Sequence, residues 1–495
     1  MCLAGVSMSL GKVVRSSLWL YVGGVASNLL YFIYWLIASR MVSPSTVGTA
    51  AAVIGVASIL AGVFSFGISQ GTTRLLGQTH GRGDSRAFNL YFTSSFIMNI
   101  CVYSILAITI LIPGGLFGLS RYQLFFVAAL VLSGAGLMNS LGPLFNSTLR
   151  TEVVAFSSVL SATFRLIFLV ALLSPGLDFF GVIVTYIIGN ISADAIYLYK
   201  CRELIRFEKP SLKSAKEILA ASIPSWIPSL FATAGTWLGI IGVYGIAGST
   251  QTGTYYMAFA MASLVYAIPT SLLSLMFPVL SGMDDGRKRA TNRSVRLTFV
   301  ILAPLAAAVI AYPTVPLGFL GTSYVSSSLT LQILLLGTII SPISLGFNSL
   351  IYAYGKYRYV TLLGLASNVP RVALYLLLVS MWGANGAAIA YVSGYLFEFA
   401  ATAFLSKRVK YSIDLLPLLA MSSIPFALAI LFYSINVFWV AGVVVILAVS
   451  FLSYARLGLV KRSDLAETAS AFFSEKRLDE LRPYADYIMR LLYGA

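Results

Sequence analysis

Apolar stretches of about twenty residues follow one another along almost the whole chain, each long enough to cross a hydrocarbon core of roughly 30 Å as a helix. Inside a bilayer every backbone amide must find its partner within the protein, which leaves transmembrane helices or a closed β-barrel. A barrel would alternate apolar and polar residues with period two, and that alternation is absent. With 58% hydrophobic and 10% charged residues, the chain lies far from the roughly 25% charged norm of soluble domains. The sequence therefore predicts an all-α polytopic membrane protein of about fourteen spans.

The spans fall near 17–40, 48–73, 87–112, 121–145, 152–173 and 179–200, then a basic connector from Cys201 to Glu217, then 218–246, 252–279, 294–312, 328–350, 360–381, 386–405, 414–434 and 437–456. The first run, behind Lys12 and Arg15, is too long for the apolar region of a cleaved signal and is expected to be a retained span.

A net charge of +16 raises the question of a nucleic-acid partner, and the position of the cations answers it. They cluster in alternate loops, at Arg74/Arg82/Arg86, Arg150, Lys200 to Lys216, Arg287 to Arg296, Lys356/Arg358 and Lys407/Arg408/Lys410, while the intervening loops are nearly bare. Such alternation is the positive-inside pattern, so both termini are expected in the cytoplasm of a cell-membrane protein and no nucleic-acid partner is expected.

The chain repeats itself. Ser45-Thr46-Val47-Gly48-Thr49 is echoed by Thr250-Gln251-Thr252-Gly253-Thr254, Phe145-Asn146-Ser147 by Phe347-Asn348-Ser349, and Ser161-Ala162-Thr163-Phe164-Arg165 by Ser367-Asn368-Val369-Pro370-Arg371, all in order at offsets of 202 to 206. Six spans per repeat give both lobes the same orientation, hence parallel repeats around a central cavity. The expected layout is an N-terminal lobe over 12–217, a second lobe over 218–412, two further spans over 413–457 and an amphipathic cytoplasmic tail over 458–495.

Charges inside spans mark function, because an Arg or Asp at a helix centre costs about 2.5 to 3.5 kcal/mol even on mild insertion scales. Arg165 and Arg371 stand in equivalent fifth spans, Asp194 and Glu398 in equivalent sixth spans. Two readings stand open: each carboxylate neutralises its own lobe's arginine, or the arginines face a cavity and, with Arg40 and Arg74 at span ends, hold a phosphate or diphosphate. Asn146 and Asn348 join them as candidate cavity-lining residues, and Asp194 and Glu398 are the candidate carboxylates for coupling to Na+ or H+. Cys2, Cys101 and Cys201 show no metal or disulfide spacing, His80 stands alone, and no phosphate loop or nucleophile and base pair is visible. A catalytic site, a metal and a bound cofactor are therefore not expected, and the chain is not expected to be an enzyme.

The run Arg40-x3-Pro44-x3-Gly48, an apolar second span, then Phe66-Gly67 and Arg74 resembles the start of Wzx-type polysaccharide flippases of the multidrug/oligosaccharidyl-lipid/polysaccharide (MOP) exporter superfamily. Where that family often has an acidic and an aromatic residue before the glycine, this chain has Thr46 and Val47. The resemblance implies alternating-access transfer of a lipid-linked oligosaccharide, on polyprenyl phosphate or diphosphate, from the inner to the outer leaflet. It implies glycosyltransferases or a polymerase as pathway partners, with membrane lipids around it. Moving about two negative charges outward across 100 mV is favourable by roughly 4 to 5 kcal/mol, so ion coupling is optional. A proton- or sodium-coupled multidrug exporter of the same superfamily and a scaffold subunit of a glycan-assembly complex are the alternatives.

Overall fold

A computed structural model describes residues 10–460 except 113–114, 117–118, 137 and 275. Beyond residue 460 the expected amphipathic tail lies outside the described residues. Among those described, twelve helices are long and apolar enough to cross a membrane. Two are far too long for one pass: α9, Leu212–Ser274, has 63 residues and α15, Tyr357–Arg408, has 52, whereas about 20 suffice for one crossing. Each breaks at one glycine with non-helical torsions, Gly248 (φ 82°) and Gly383 (φ 54°), where the sequence places two outer turns. A methyl group at Gly239 would lie 3.1 Å from the Tyr255 hydroxyl, so the two arms of α9 run side by side about Gly248. The twelve helices thus make fourteen passes.

The first passes are α1 (Leu10–Met41) and α2 (Pro44–Val63). Ser43 caps α2 by accepting a hydrogen bond from the Thr46 amide, and Pro44 supplies a helical φ at the first position, where no amide donor is needed. The sequence expectation of one span from 48 to 73 is corrected here. Phe66 (φ 45°) and Gly67 (φ 66°) both turn left-handed, and a new helix, α3, runs Ile68–Arg82. The break lets the chain pass α9, since a side chain at Gly67 would meet the Ser222 carbonyl at 2.8 Å and Trp226 Cβ at 2.9 Å.

Four more passes and their pieces complete the first repeat: α4 (Ser85–Leu111), α5 (Arg121–Val131), α6 (Met138–Ser147), α7 (Thr151–Leu173) and α8 (Asp178–Cys201). A two-residue hairpin, Gly115–Leu116 with Leu119–Ser120, precedes α5. The span expected over 121–145 is in fact α5 and α6 joined by a π-helical turn, Leu132–Gly136. Its repeat counterpart is broken as well: α13 (Ser328–Leu336) and α14 (Ser341–Ala353) are joined by a 3-10 turn at Gly337–Ile339. The remaining elements are α10 (Met276–Ser281), α11 (Arg287–Ala311), α12 (Thr314–Leu320), α16 (Leu415–Ser434) and α17 (Trp439–Arg456).

Packing divides the chain into two units, and the repeat boundary is not their boundary. One unit takes Met1–Met257 with Leu320–Tyr324 and Asn368–Tyr391; the other takes the remainder. Within the first, α9 runs back along α2 over a seam of glycines seven residues apart, met first by the start of its second arm and then by its opening arm. Backbone at Gly48 meets backbone at Gly253, Gly55 faces Trp237, and Gly62 faces Thr233 and accepts a hydrogen bond from Trp226 Nε1 at 3.1 Å. Glycine at each position removes the side chain that would hold the helices apart. The echo of Gly48 in Gly253 is therefore a physical contact.

Each repeat also fastens the linker after its sixth pass through an asparagine of its third pass. In the first unit Asn89 Oδ1 accepts from the Arg206 amide at 3.3 Å and Thr93 Oγ1 from the Glu208 amide at 3.2 Å. In the second unit Asn292, 203 residues after Asn89, donates to the Ser412 carbonyl at 3.0 Å, and the Tyr411 hydroxyl donates to its Oδ1. Its apolar interior includes Leu273, Phe299, Ile343, Met421 and Tyr454.

Candidate substrate cavity

A cavity of about 540 Å³ lies within the first unit, walled by α1, α2, α3, α5, the π-helical turn, α6, α7, α8 and both arms of α9. The charged residue among its lining is Arg165. The residue is 7% exposed, on the α7 face that also buries Ser161, Ala162 and Leu169. Its guanidinium is stacked against two aromatic rings, 4.8 Å from the Tyr31 centroid and 4.6 Å from that of Tyr186. Nη2 donates to Asn190 Oδ1 at 2.7 Å, and Asn190 Nδ2 donates in turn to Ser133 Oγ at 3.2 Å. Nε and Nη1 have no acceptor.

Local sequence explains this placement. Tyr186 and Asn190 are four residues apart on α8, so they share one helix face. Gly189 on the same helix makes room for the arginine stem, since a methyl group there would sit 2.9 Å from Arg165 Cδ and closer still to Cγ and Nε. Tyr186 is held edge-on to Tyr34, whose hydroxyl donates to the Val182 carbonyl at 3.0 Å. The π-helical turn presents Gly134 and Ala135 to the cavity, while Asn139, Gln70, Ser229, Thr233 and Trp237 add amide, hydroxyl and indole surface.

The reading in which Asp194 neutralises Arg165 is not what the structure shows. Among the described residues no carboxylate lies within ion-pair distance of Arg165; Asn190 occupies its Nη2, one turn of α8 before Asp194. Asp194 is itself 4% exposed, with Oδ1 unpartnered. The charge of Arg165 is thus buried against tyrosine faces and one amide, where the effective dielectric is low and an incoming anion gains most.

Arg371 repeats part of the design and completes it differently. It is 5% exposed and its guanidinium sits 4.3 Å from the Tyr391 ring, the counterpart of Tyr186 at an offset of 205. Here Nε donates to the Tyr391 carbonyl at 3.1 Å and Nη1 to Asn368 Oδ1 at 3.2 Å. Neither Arg371 nor Asn348 lines the cavity; Asn348 is half-buried on α14 with Oδ1 unpartnered, and Glu398 is half-buried on α15. Arg40, Arg74 and Asn146 are exposed and likewise absent from its walls. Of the residues expected from sequence to bind substrate, only Arg165 belongs to this cavity. Tyr31 and Trp237 gave no signal in the sequence, and Tyr186 only a faint one, as a tyrosine recurring 20 or 21 residues after each arginine.

Broken helices, fourteen passes and a polar cavity together form a fold that solved membrane transporters share. The fold matches lipid II flippase MurJ in its inward closed conformation with a TM-score of 0.69, at 14% identity over 88% of this chain and 99% of that one. An inward-facing multidrug resistance MATE family transporter of the MOP superfamily matches with a TM-score of 0.59, at 14% identity over 82% and 96% of the two chains. The profile of the family described as "Polysaccharide biosynthesis protein" matches residues 13–284, more than half the chain, and the chain belongs to that family. A Shigella flexneri protein described as "Putative O-antigen transporter" is 29% identical over 153 residues, 30% of this chain; the match spans 37% of that relative's length. The protein is a multi-pass membrane protein of a polysaccharide-biosynthesis family.

Proposed function

We propose that the protein flips a lipid-linked oligosaccharide, carried on polyprenyl phosphate or diphosphate, from the inner to the outer leaflet by alternating access, with both termini in the cytoplasm. The observation that carries this reading is Arg165: a buried guanidinium with two unsatisfied nitrogens and no counter-charge, facing a cavity of about 540 Å³. Guanidinium suits phosphate oxygens because its planar donors match their geometry. The surrounding amides, hydroxyls and Trp237 offer hydrogen bonds and an aromatic face to the sugars next to that phosphate. The same charge argues against a cationic drug as cargo, since it would repel one within the cavity. A pure scaffold has no use for the cavity at all. Asp194 is the candidate coupling carboxylate in the first repeat, with Glu398 in the second; Na+, H+ or the membrane potential alone would drive transfer.

The test is reconstitution in liposomes with a fluorescent polyprenyl diphosphate sugar and a membrane-impermeant quencher. Protein-dependent loss of the protected inner-leaflet fraction supports the flippase reading. Unchanged leaflet distribution together with efflux of cationic dyes would overturn it.

A further inference from the structure

A second concavity, of about 670 Å³, opens on the outer face of α1, α7 and α8, and none of its lining residues lines the cavity of Arg165. Its interior is apolar, with Phe156 and Tyr199 exposed at 60% and 66%. Its two charged lining residues sit at one end. Glu152 is the second residue of α7 and Lys200 the second-last of α8, so both mark the same boundary of the membrane spans. The start of α1 is tied to that level, as Ser16 Oγ donates to the Leu149 carbonyl at 3.0 Å and Thr151 Oγ1 to the Ser16 carbonyl at 2.8 Å. Trp19, one turn further along α1, then stands where interfacial tryptophans belong.

The charges at this end balance in a specific way. Lys200 Nζ and Arg150 Nη1 each lie 3.4 Å from a different oxygen of Glu203, so two cations share one carboxylate and one positive charge remains. Across the groove mouth Glu152 is exposed and has no cationic partner among the described residues. One spare cation and one spare anion at the mouth of an apolar groove, at the membrane boundary, complement a zwitterionic headgroup. A purely anionic lipid would gain from Lys200 and lose to Glu152, and a doubly charged lipid diphosphate would lose more.

We infer that this groove is a binding site for a phospholipid bearing a primary ammonium, phosphatidylethanolamine in chemical class, with its phosphate at Lys200, its ammonium at Glu152 and one acyl chain along Phe156. Occupancy is separate from transport of the cargo, so the lipid is a resident of the α1/α7/α8 face.

The experiment uses the full chain in nanodiscs of equal phosphatidylethanolamine and phosphatidylglycerol, extracted gently and read by native mass spectrometry of retained lipid. The wild type retains the ethanolamine lipid over the glycerol lipid by about two- to fivefold, the range that one partly exposed ion pair supplies. Glu152→Gln abolishes that preference, and Lys200→Gln lowers retention of both lipids. Ala195→Trp, which fills the groove without changing charge, lowers total retention. Equal or reversed preference in the wild type, an unchanged preference in Glu152→Gln, or a polyprenyl lipid as the retained species would overturn the assignment. Flipping of the diphosphate sugar by Glu152→Gln proceeds as in the wild type, which separates failure here from failure of the flippase reading.

Discussion

Two arginines that look equivalent in the sequence have different surroundings. Arg165 stacks on two tyrosines and leaves Nε and Nη1 unsatisfied, while Arg371 stacks on Tyr391 and donates to a carbonyl and an amide. Arg165→Ala is therefore expected to leave folded protein in the membrane and to abolish transfer, whereas Arg371→Ala removes satisfied buried hydrogen bonds and costs stability by about 1 to 3 kcal/mol. Thermal unfolding of both variants beside the flipping assay separates the roles, and equal destabilisation by both would contradict them. Gly189→Ala pushes directly on the Arg165 stem, so it should lower flipping while changing the unfolding midpoint little. Arg165 could be found from sequence because a charge in an apolar span stands out. Its partners could not: Tyr31 reaches it from a helix more than a hundred residues away, and a tyrosine in a span carries no mark of what it faces.

Helix by helix, apolar length carries most of the information. Turns at Gly248 and Gly383 stand where the sequence places them, because a polar break flanked by apolar runs has one simple reading. The breaks at Phe66–Gly67 and in the π-helical turn Leu132–Gly136 were not visible, since both lie inside apolar runs, and the neighbours that crowd Gly67, Ser222 and Trp226, come from a distant helix. Glycine spacing on α2 is the opposite case: Gly48, Gly55 and Gly62 are plain in the sequence, but the helix they face is not. Replacing Gly48 with Val forces side-chain atoms into the Ser249 carbonyl and the Gly253 amide. Overpacking of this kind costs about 1 to 3 kcal/mol, expected as a lowered unfolding midpoint and reduced yield of monodisperse protein. An unchanged midpoint would mean that the α2/α9 seam is looser than the structure has it.

For the molecule as a whole, the duplicated six-span plan survives in the paired broken spans, the two linker fastenings and the two arginine–tyrosine stacks, while the cavity chemistry is concentrated on Arg165. An anionic cargo leaving an inside-negative compartment gains up to about 2.3 kcal/mol per charge per 100 mV. In potassium-loaded liposomes an inside-negative potential set with valinomycin is accordingly expected to speed outward transfer of a diphosphate-linked sugar, and reversal of the potential to slow it. The central claim, that Arg165 holds the anionic headgroup, is tested most directly by flipping of a fluorescent polyprenyl diphosphate sugar in liposomes containing equal amounts of folded wild type, Arg165→Ala or Arg165→Lys. Transfer lost in the alanine variant and partly kept in the lysine variant is the predicted result. Wild-type transfer by Arg165→Ala would contradict it.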